Sequence, residues 1–266
     1  FFTEWDTPHG VPPFDKILPE HFMPAFERGM SLHEAEIDAI TSNKDEATFE
    51  NTILAYDNAG QMLAQTELVF GMLCAAETND RMQALQEQAM PLLAAHRDKI
   101  RLDDKLFVRV KEVYDRRAAL GLDAEQMRLL QKTYDSFVRA GALLDAEQKA
   151  RLKEINGQLS LTAVKFGNNI LAENNNFVLE LKSDELDGLP AGIRDAAREK
   201  AQQMGKGDKW VFTLHKPSLI PLLTYSTRRD LREKIYKAYL NRCNNGDEYD
   251  NKQLINDFIR LRTEKA

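Results

Sequence analysis

The sequence predicts a mainly α fold, a multi-helix domain with one small two-stranded β element. Three observations lead to this fold class. Apolar residues recur at intervals of three and four through most of the chain, which is the period of an amphipathic helix. The 266 residues include only 13 glycines and 9 prolines, and no proline falls between Pro24 and Pro91. A period of two, which is typical of strands, occurs only in residues 177–181 and 210–214.

The longest uninterrupted apolar pattern covers residues 48–74, and we expect the other helices to pack around it. Its main stripe consists of Phe49, Ile53, Tyr56, Leu63, Phe70 and Cys74. Thr48 is a suitable N-cap, although Asn51 stands where a full capping box has Glu or Gln. Gly60 interrupts the stripe and costs about 1 kcal/mol relative to Ala inside a helix. A glycine at this position indicates that another helix crosses closely there.

Glu67 also falls on the main stripe, and it is the candidate that the sequence offers for substrate binding. Two interpretations are open. In the structural one, the carboxylate pairs with an arginine or lies exposed at the edge of the apolar face, because carboxylates are rarely buried without a partner. In the functional one, the carboxylate faces a cleft. The residues alone favour the structural interpretation.

Residues 1–24 are expected to form an extended, proline-rich arm, and residues 25–266 the helical domain. The arm holds five of the nine prolines, and Phe1, Phe2, Trp5 and Phe14 are expected to anchor it on the domain surface. Besides residues 48–74, the predicted helices cover residues 21–42, 81–100, 103–120, 123–140, 145–173, 191–204, 218–225, 228–242 and 250–266. Gly121 and Gly141 suit helix ends, because glycine readily adopts the left-handed conformation there.

The β element is expected near residues 177–214, with a helix between its two strands. The last predicted helix runs to Ala266 without a stop signal. We therefore expect the chain to be part of a larger protein that continues after residue 266; that the missing part is a catalytic domain is implied only by the family resemblance described below.

Composition and charge exclude several classes of protein. The net charge of −6 and the lack of a basic cluster argue against nucleic-acid binding. No apolar run approaches the roughly 20 residues that span a membrane. Two cysteines, Cys74 and Cys243, make neither a disulfide framework nor a zinc cluster. Cys74 lies on an apolar stripe, where an inert thiol is expected.

Local catalytic motifs are absent from the sequence. The five histidines are His9, His21, His33, His96 and His215. No pair has the spacing that places two imidazoles on one face of a zinc-binding helix. There is no Gly-x-Ser-x-Gly motif for a serine nucleophile. We therefore expect no catalytic residue and no metal site in this chain, and no convergence of the scattered histidines.

Six segments of the chain match one known family in the order in which the family has them. They are PPFDKILPEHFMPAFERGM (residues 12–30), TFENTILAYDNAG (48–60), AETND (76–80), RLLQKTYDSFVRAGALL (128–144), LREKIYKAYLNR (231–242) and the last nine residues, 258–266. In these segments the chain resembles the amino-terminal half of the thimet-oligopeptidase family of zinc metallopeptidases. It is most similar to the bacterial peptidyl-dipeptidase (dipeptidyl carboxypeptidase) branch.

The resemblance implies one half of a two-lobed, mainly helical peptidase that encloses a deep cleft. It also implies a zinc ion in the intact enzyme, held on the carboxy-terminal half by a His-Glu-x-x-His helix and a later Glu. Such a metal would polarise the scissile carbonyl. None of those ligands lies in this chain, so the resemblance transfers no catalytic residue and no bound zinc to it.

The implied partners are short unfolded peptides and the carboxy-terminal catalytic half, without nucleic acid or membrane. The expected compartment is the cytoplasm, with the periplasm as the alternative. Three functions stay open. The chain is the non-catalytic part of a peptidyl-dipeptidase and forms one wall of its cleft, or it has that place in an oligopeptidase A-like endopeptidase. Alternatively, it is a stand-alone helical binding or scaffold domain.

Overall fold

The computed structural model describes residues 1–3 and 5–266. In these residues ten helices of at least ten residues accompany one two-stranded sheet, so the predicted fold class is confirmed. The helices are α1 Phe22–Ser42, α2 Gln61–Ala76, α3 Asp80–Arg101, α4 Asp104–Asp115, α5 Ala124–Ala140, α6 Ala146–Asn176, α7 Ala191–Gln203, α8 Lys216–Tyr225, α9 Arg229–Leu240 and α10 Lys252–Lys265. The strands are β1 Leu179–Leu181 and β2 Trp210–Phe212.

The chain divides into two compact units. Unit 1 comprises Phe1–Val164 with Lys265–Ala266, and unit 2 comprises Lys165–Glu264. Most helices begin and end within a few residues of their predicted limits. The predicted helix 103–120 is too long, because α4 stops at Asp115 and a 3₁₀ turn at Arg117–Ala119 leads to Gly121.

The predicted continuous helix over residues 48–74 is wrong, because the chain breaks at Gly60. A π-helical segment, Phe49–Leu54, and a short turn, Ala55–Asp57, precede the break, and α2 follows it. Gly60 has a φ of 74°, the left-handed conformation, which cannot continue a right-handed helix. Its N–H donates instead to Glu36 Oε2 of α1 at 2.7 Å. The carboxylate therefore satisfies a backbone group that the break leaves without a helical partner.

The close helix crossing expected at Gly60 is present, and it involves two glycines. A Cβ added to Gly60 would lie 2.9 Å from His33 Nδ1 of α1. A Cβ added to Gly29 of α1 would lie 3.0 Å from Leu63 Cα of α2. Helix α1 therefore meets the segment around α2 more closely than ordinary side chains allow.

A capping box forms at the start of the π-helical segment. The hydroxyl of Thr48 accepts from the N–H of Asn51 at 3.1 Å, and Asn51 Oδ1 accepts from the N–H of Thr48 at 2.8 Å. Thr48 is thus confirmed as the N-cap. The side-chain amide of Asn51 accepts the hydrogen bond that a Glu or Gln side chain accepts in the usual capping box.

Arg109 of α4 organises the loop between α1 and the π-helical segment. Its side chain donates to the carbonyls of Asn43 and Asp45 at 3.0 and 3.2 Å, and to Asn51 Oδ1 at 3.1 Å. Arg109 is only 9% exposed. A buried guanidinium is tolerable when it is hydrogen-bonded, and here both of its Nη atoms donate to the segment that follows α1.

Unit 1 contains two apolar clusters. One joins α1, the π-helical segment, α4 and α5; its fully buried members include Ile53, Leu106, Val110 and Phe137. The other joins α1, α2 and α3. It is built around Phe22, Phe26, Leu63, Phe70 and Leu93. Helix α1 contributes to both clusters and so connects them.

The amino-terminal arm is not uniformly extended, because 3₁₀ turns occur at Pro8–Gly10 and Pro19–His21 and α1 begins at Phe22. Phe1 and Trp5 pack against the second cluster, as expected. Phe1 lies 5.4 Å from Phe22 between ring centroids. Phe2 and Phe14 are 65% and 40% exposed, so the prediction that they anchor the arm is wrong.

In unit 2, α7 and α8 pack on the small sheet. Strands β1 and β2 are antiparallel, with Leu179 opposite Phe212 and Leu181 opposite Trp210. Leu179 and Leu181 are buried and Glu180 is exposed, as the period of two predicts. A buried hydrogen bond of 2.8 Å from Asn169 Nδ2 to Asn251 Oδ1 adds a specific polar contact beside α6.

No helix within the described residues has both the length and the apolar character to cross a membrane. The expected compartment stays a prediction.

We expect Gly60→Ala to lower the free energy of unfolding by roughly 1–3 kcal/mol, because the new Cβ meets the His33 ring and the backbone is left-handed. Gly71→Ala in α2 is the matched control, since a Cβ there meets nothing within 4 Å. It should stabilise by about 0.5–1 kcal/mol through helix propensity. Urea unfolding of both variants checks this, and equal effects of the two would contradict the close crossing.

Arg109→Met should lower the free energy of unfolding by roughly 1–3 kcal/mol, because it removes the hydrogen bonds that a buried guanidinium makes to the loop after α1. Arg139→Met is the control, because Arg139 is exposed on α5. The control should stay within about 0.5 kcal/mol of the parent. Thermal and urea unfolding measure both, and a parent-like Arg109→Met would show that the loop does not depend on this side chain.

Candidate functional site around α1, α2 and α3

Glu67 lies on α2, half-buried and on the side of the helix that meets α3. It is close enough to His96 of α3 for its negative charge to favour the protonated imidazole and act to raise the pKa of His96. A basic neighbour of Glu67 is thus an imidazole, whereas the structural interpretation named an arginine partner or exposure at the edge of the apolar face. Whether Glu67 contacts a substrate stays a prediction.

Two of the five histidines converge, which the sequence analysis did not expect. His96 Nε2 lies 3.0 Å from His33 Nδ1, a hydrogen bond between residues 63 positions apart. The ring centroids are 5.0 Å apart. His96 is buried with 5% exposure, and His33 is half-buried against Gly60. Spacing rules detect pairs within one helix, so they could not find a pair formed by α1 and α3.

Carboxylates and one lysine surround the histidine pair. Glu34 Oε1 lies 3.4 Å from His96 Nδ1, and Glu34 Oε2 pairs with Lys99 Nζ at 2.7 Å. The hydrogen bond from Lys99 is the main cause that lowers the pKa of Glu34 below its ordinary value. Glu34 therefore stays ionised near neutral pH and presents an acceptor to the imidazole.

Burial is the main cause that lowers the pKa of both histidines below 6.5. For His33, the neighbouring His96 lowers it further, while Glu36 and Glu34 act in the opposite direction. For His96, Glu34 and Glu67 oppose the effect of burial. Both imidazoles are therefore mainly neutral near pH 7, so one ring nitrogen of the pair is free to accept the hydrogen bond from the other.

The remaining histidines do not join this pair. His9 and His21 lie in the 3₁₀ turns of the arm, and His215 precedes α8. Within residues 1–3 and 5–266, no group of three His, Cys, Asp or Glu side chains is arranged to hold a metal ion. The described part of this chain therefore contains no set of ligands for the zinc that the family resemblance implies.

A concave groove of about 1030 Å³ lies between the arm, α1 and α2. Its lining is mostly apolar and includes Phe2, Trp5 and Leu68, with Arg28 and Gln65 as polar members. Phe2 and Leu68 are each 65% exposed. Large apolar side chains beside a few hydrogen-bonding groups are typical of a site that binds a flexible ligand. Gln65 and Leu68 line the groove, whereas Glu67 lies on the neighbouring face of α2.

The two cysteines have no role in this site. The pKa of both thiols, Cys74 and Cys243, is raised to about 11, mainly by burial. For Cys243, part of this rise comes from Glu173, whose carboxylate accepts from the N–H of Cys243. Neither thiol has the lowered pKa of a nucleophile.

Comparisons with known proteins identify relatives along the whole chain, although no protein-family model matches it. Dipeptidyl carboxypeptidase of Escherichia coli strain K12 is 35% identical over an alignment of 267 positions, which covers 100% of this chain and 39% of that protein. Dipeptidyl carboxypeptidase of Salmonella typhimurium is 34% identical, over 96% of this chain and 38% of that protein. Oligopeptidase A of Escherichia coli is 26% identical, over 98% of this chain and 39% of that protein.

The chain therefore spans about 39% of the length of the curated relatives that it matches. This share is consistent with their amino-terminal half. The resemblance predicted from the sequence is confirmed: the chain is a homologue of the dipeptidyl carboxypeptidases and oligopeptidases A of the thimet-oligopeptidase family.

Proposed function

We propose that this chain is the amino-terminal, non-catalytic part of a peptidase that releases dipeptides from the carboxyl ends of short peptides. The observation that carries the proposal is the difference in identity between two relatives from one organism. Identity is 35% to dipeptidyl carboxypeptidase and 26% to oligopeptidase A, each over nearly the whole chain. An endopeptidase of the oligopeptidase A type is the alternative within the family.

The surface of unit 1 supports a role as one wall of a peptide-binding cleft. The groove beside α2 offers exposed apolar side chains at Phe2 and Leu68, which can pack against the side chains of an extended peptide. Gln65 can donate to and accept from a peptide backbone. The guanidinium of Arg28 suits a carboxylate. These groups bind a ligand without performing chemistry on it.

The chemistry of peptide hydrolysis would belong to the other part of the longer protein. A catalytic zinc needs three converging protein ligands and an open position, and the described residues provide no such set. When bound in the longer protein, zinc would polarise the scissile carbonyl. This chain would help to hold the peptide and exclude folded proteins.

The chain by itself should neither bind zinc stoichiometrically nor hydrolyse peptides. The test incubates the purified chain with zinc and an amino-terminally blocked tripeptide, then measures bound metal and released dipeptide. A longer protein that includes this sequence and the carboxy-terminal part of its relatives should release the dipeptide and lose this activity to a chelator.

Three results would contradict this proposal. One equivalent of tightly bound zinc with turnover by the chain alone would place the catalytic site within these residues. An inactive longer protein that still binds peptides would favour a helical binding or scaffold domain. Cleavage at internal bonds of a peptide blocked at both ends would favour the endopeptidase alternative.

Glu67→Gln tests the two interpretations of Glu67. We expect a loss of about 1 kcal/mol in the free energy of unfolding, because Glu67 is half-buried beside His96 and the substitution removes a charge from that packing. Glu77→Gln is the matched control, since Glu77 is exposed at the end of the same helix. A parent-like stability with weakened peptide binding by the longer protein would support the functional interpretation. No change in either quantity would contradict both.

A further inference from the structure

Three parts of unit 1 meet at the His33 ring. Its Nδ1 is hydrogen-bonded to His96 of α3 at 3.0 Å. On another side, the ring packs so closely on Gly60 that a Cβ there would lie 2.9–3.1 Å from three ring atoms. Helix α1, which carries His33, cannot shift against α3 or against the start of α2 without breaking these contacts. A change in the protonation state of either ring therefore affects the contacts that hold α1 against α3 and against the start of α2.

The surroundings assign the tautomers of the pair. His96 Nδ1 is buried, makes no regular hydrogen bond, and lies 3.4 Å from the carboxylate of Glu34. A lone pair facing a carboxylate would be repelled, so His96 carries its hydrogen on Nδ1. Its Nε2 is then an acceptor, and the hydrogen of the bond belongs to His33 Nδ1. This leaves His33 Nε2 as the unprotonated nitrogen that takes no part in the bond between the two rings.

We infer that the His33–His96 pair is an acid-sensitive contact between α1 and α3. The pair keeps its hydrogen bond when His33 Nε2 accepts a first solvent proton on acidification, and a second proton, on His96, separates the rings and weakens the junction at Gly60. The inference stands on the contact geometry and does not depend on the proposed function.

The charged groups around the pair allow one proton and oppose a second. Glu34 and Glu36 of α1 and Glu67 of α2 favour a positive charge on the rings, whereas Lys99 of α3 opposes it. A first proton on His33 keeps Nδ1 as a donor to His96. A second proton would place a donor on both nitrogens of a 3.0 Å contact, which no longer has an acceptor. Full protonation therefore requires the two rings to separate.

The sign of the pH dependence follows from the lowered pKa of both histidines. Below pH 6.5 the unfolded chain binds more protons at these sites than the folded chain does. The stability that the pair contributes is therefore complete above about pH 6.5 and is lost as the pH falls toward the pKa values of the folded state.

The test is urea unfolding of the 266-residue chain between pH 8 and pH 5, comparing the parent with His33→Asn. The asparagine amide can replace Nδ1–H as a donor but does not titrate. Acidification should raise the unfolding constant of the parent at least about threefold more than that of His33→Asn. His9→Asn is the matched control, because His9 is exposed with a φ of 59°, which asparagine tolerates. It should follow the parent, and equal pH slopes for all three chains would overturn the inference.

A second measurement uses the parent chain alone, so it remains decisive if His33→Asn does not fold. Long-range proton–nitrogen spectra of the chain labelled with ¹⁵N-histidine distinguish the protonated ring nitrogens. We expect His33 and His96 to be neutral and protonated on Nδ1 at pH 7, with His33 Nε2 the first nitrogen to take up a proton on acidification. A charged imidazole at pH 7, or a hydrogen on His96 Nε2, would overturn the assignment.

Discussion

The close approach of α1 to the start of α2 is the constraint on which the rest of unit 1 depends. Packed helices usually lie 8–10 Å apart, at a distance set by the side chains at their contact. Here Gly29 brings the backbone of α1 against Leu63, and Gly60 brings the turn before α2 against His33. Because α1 contributes to both apolar clusters of the unit, its position fixes both clusters at once.

Apolar burial brings these helices together, and a small number of polar contacts sets their register. Glu36 accepts a hydrogen bond from the N–H of Gly60, which the helix break leaves free, and Arg109 donates to carbonyls of the loop after α1. The histidine pair adds a directional bond between α1 and α3. Helix α2 consequently has two distinct polar surroundings, with Glu67 toward the histidines and Gln65 toward the groove.

The sequence predicted the features that depend on neighbours along the chain. The helical period located the helices, alternation located Leu179–Leu181 and Trp210–Phe212, and Thr48 marked a helix start. The break at Gly60 was missed because the apolar stripe continues in register on both sides of it. The backbone angle φ of a single glycine cannot be inferred from that pattern. The His33–His96 pair was missed because 63 residues separate its members and only the folded chain joins them. Similarity to known segments, not any local motif, indicated the family.

The protonated state of the native thiols has a practical consequence for labelling. With a pKa of about 11, each thiol of Cys74 and Cys243 is a reactive thiolate in only roughly one molecule in ten thousand at pH 7. Maleimides and similar reagents react with the thiolate. A cysteine introduced on the exposed surface would therefore react first, so a fluorophore or spin label can be attached at a chosen point without removing either native residue.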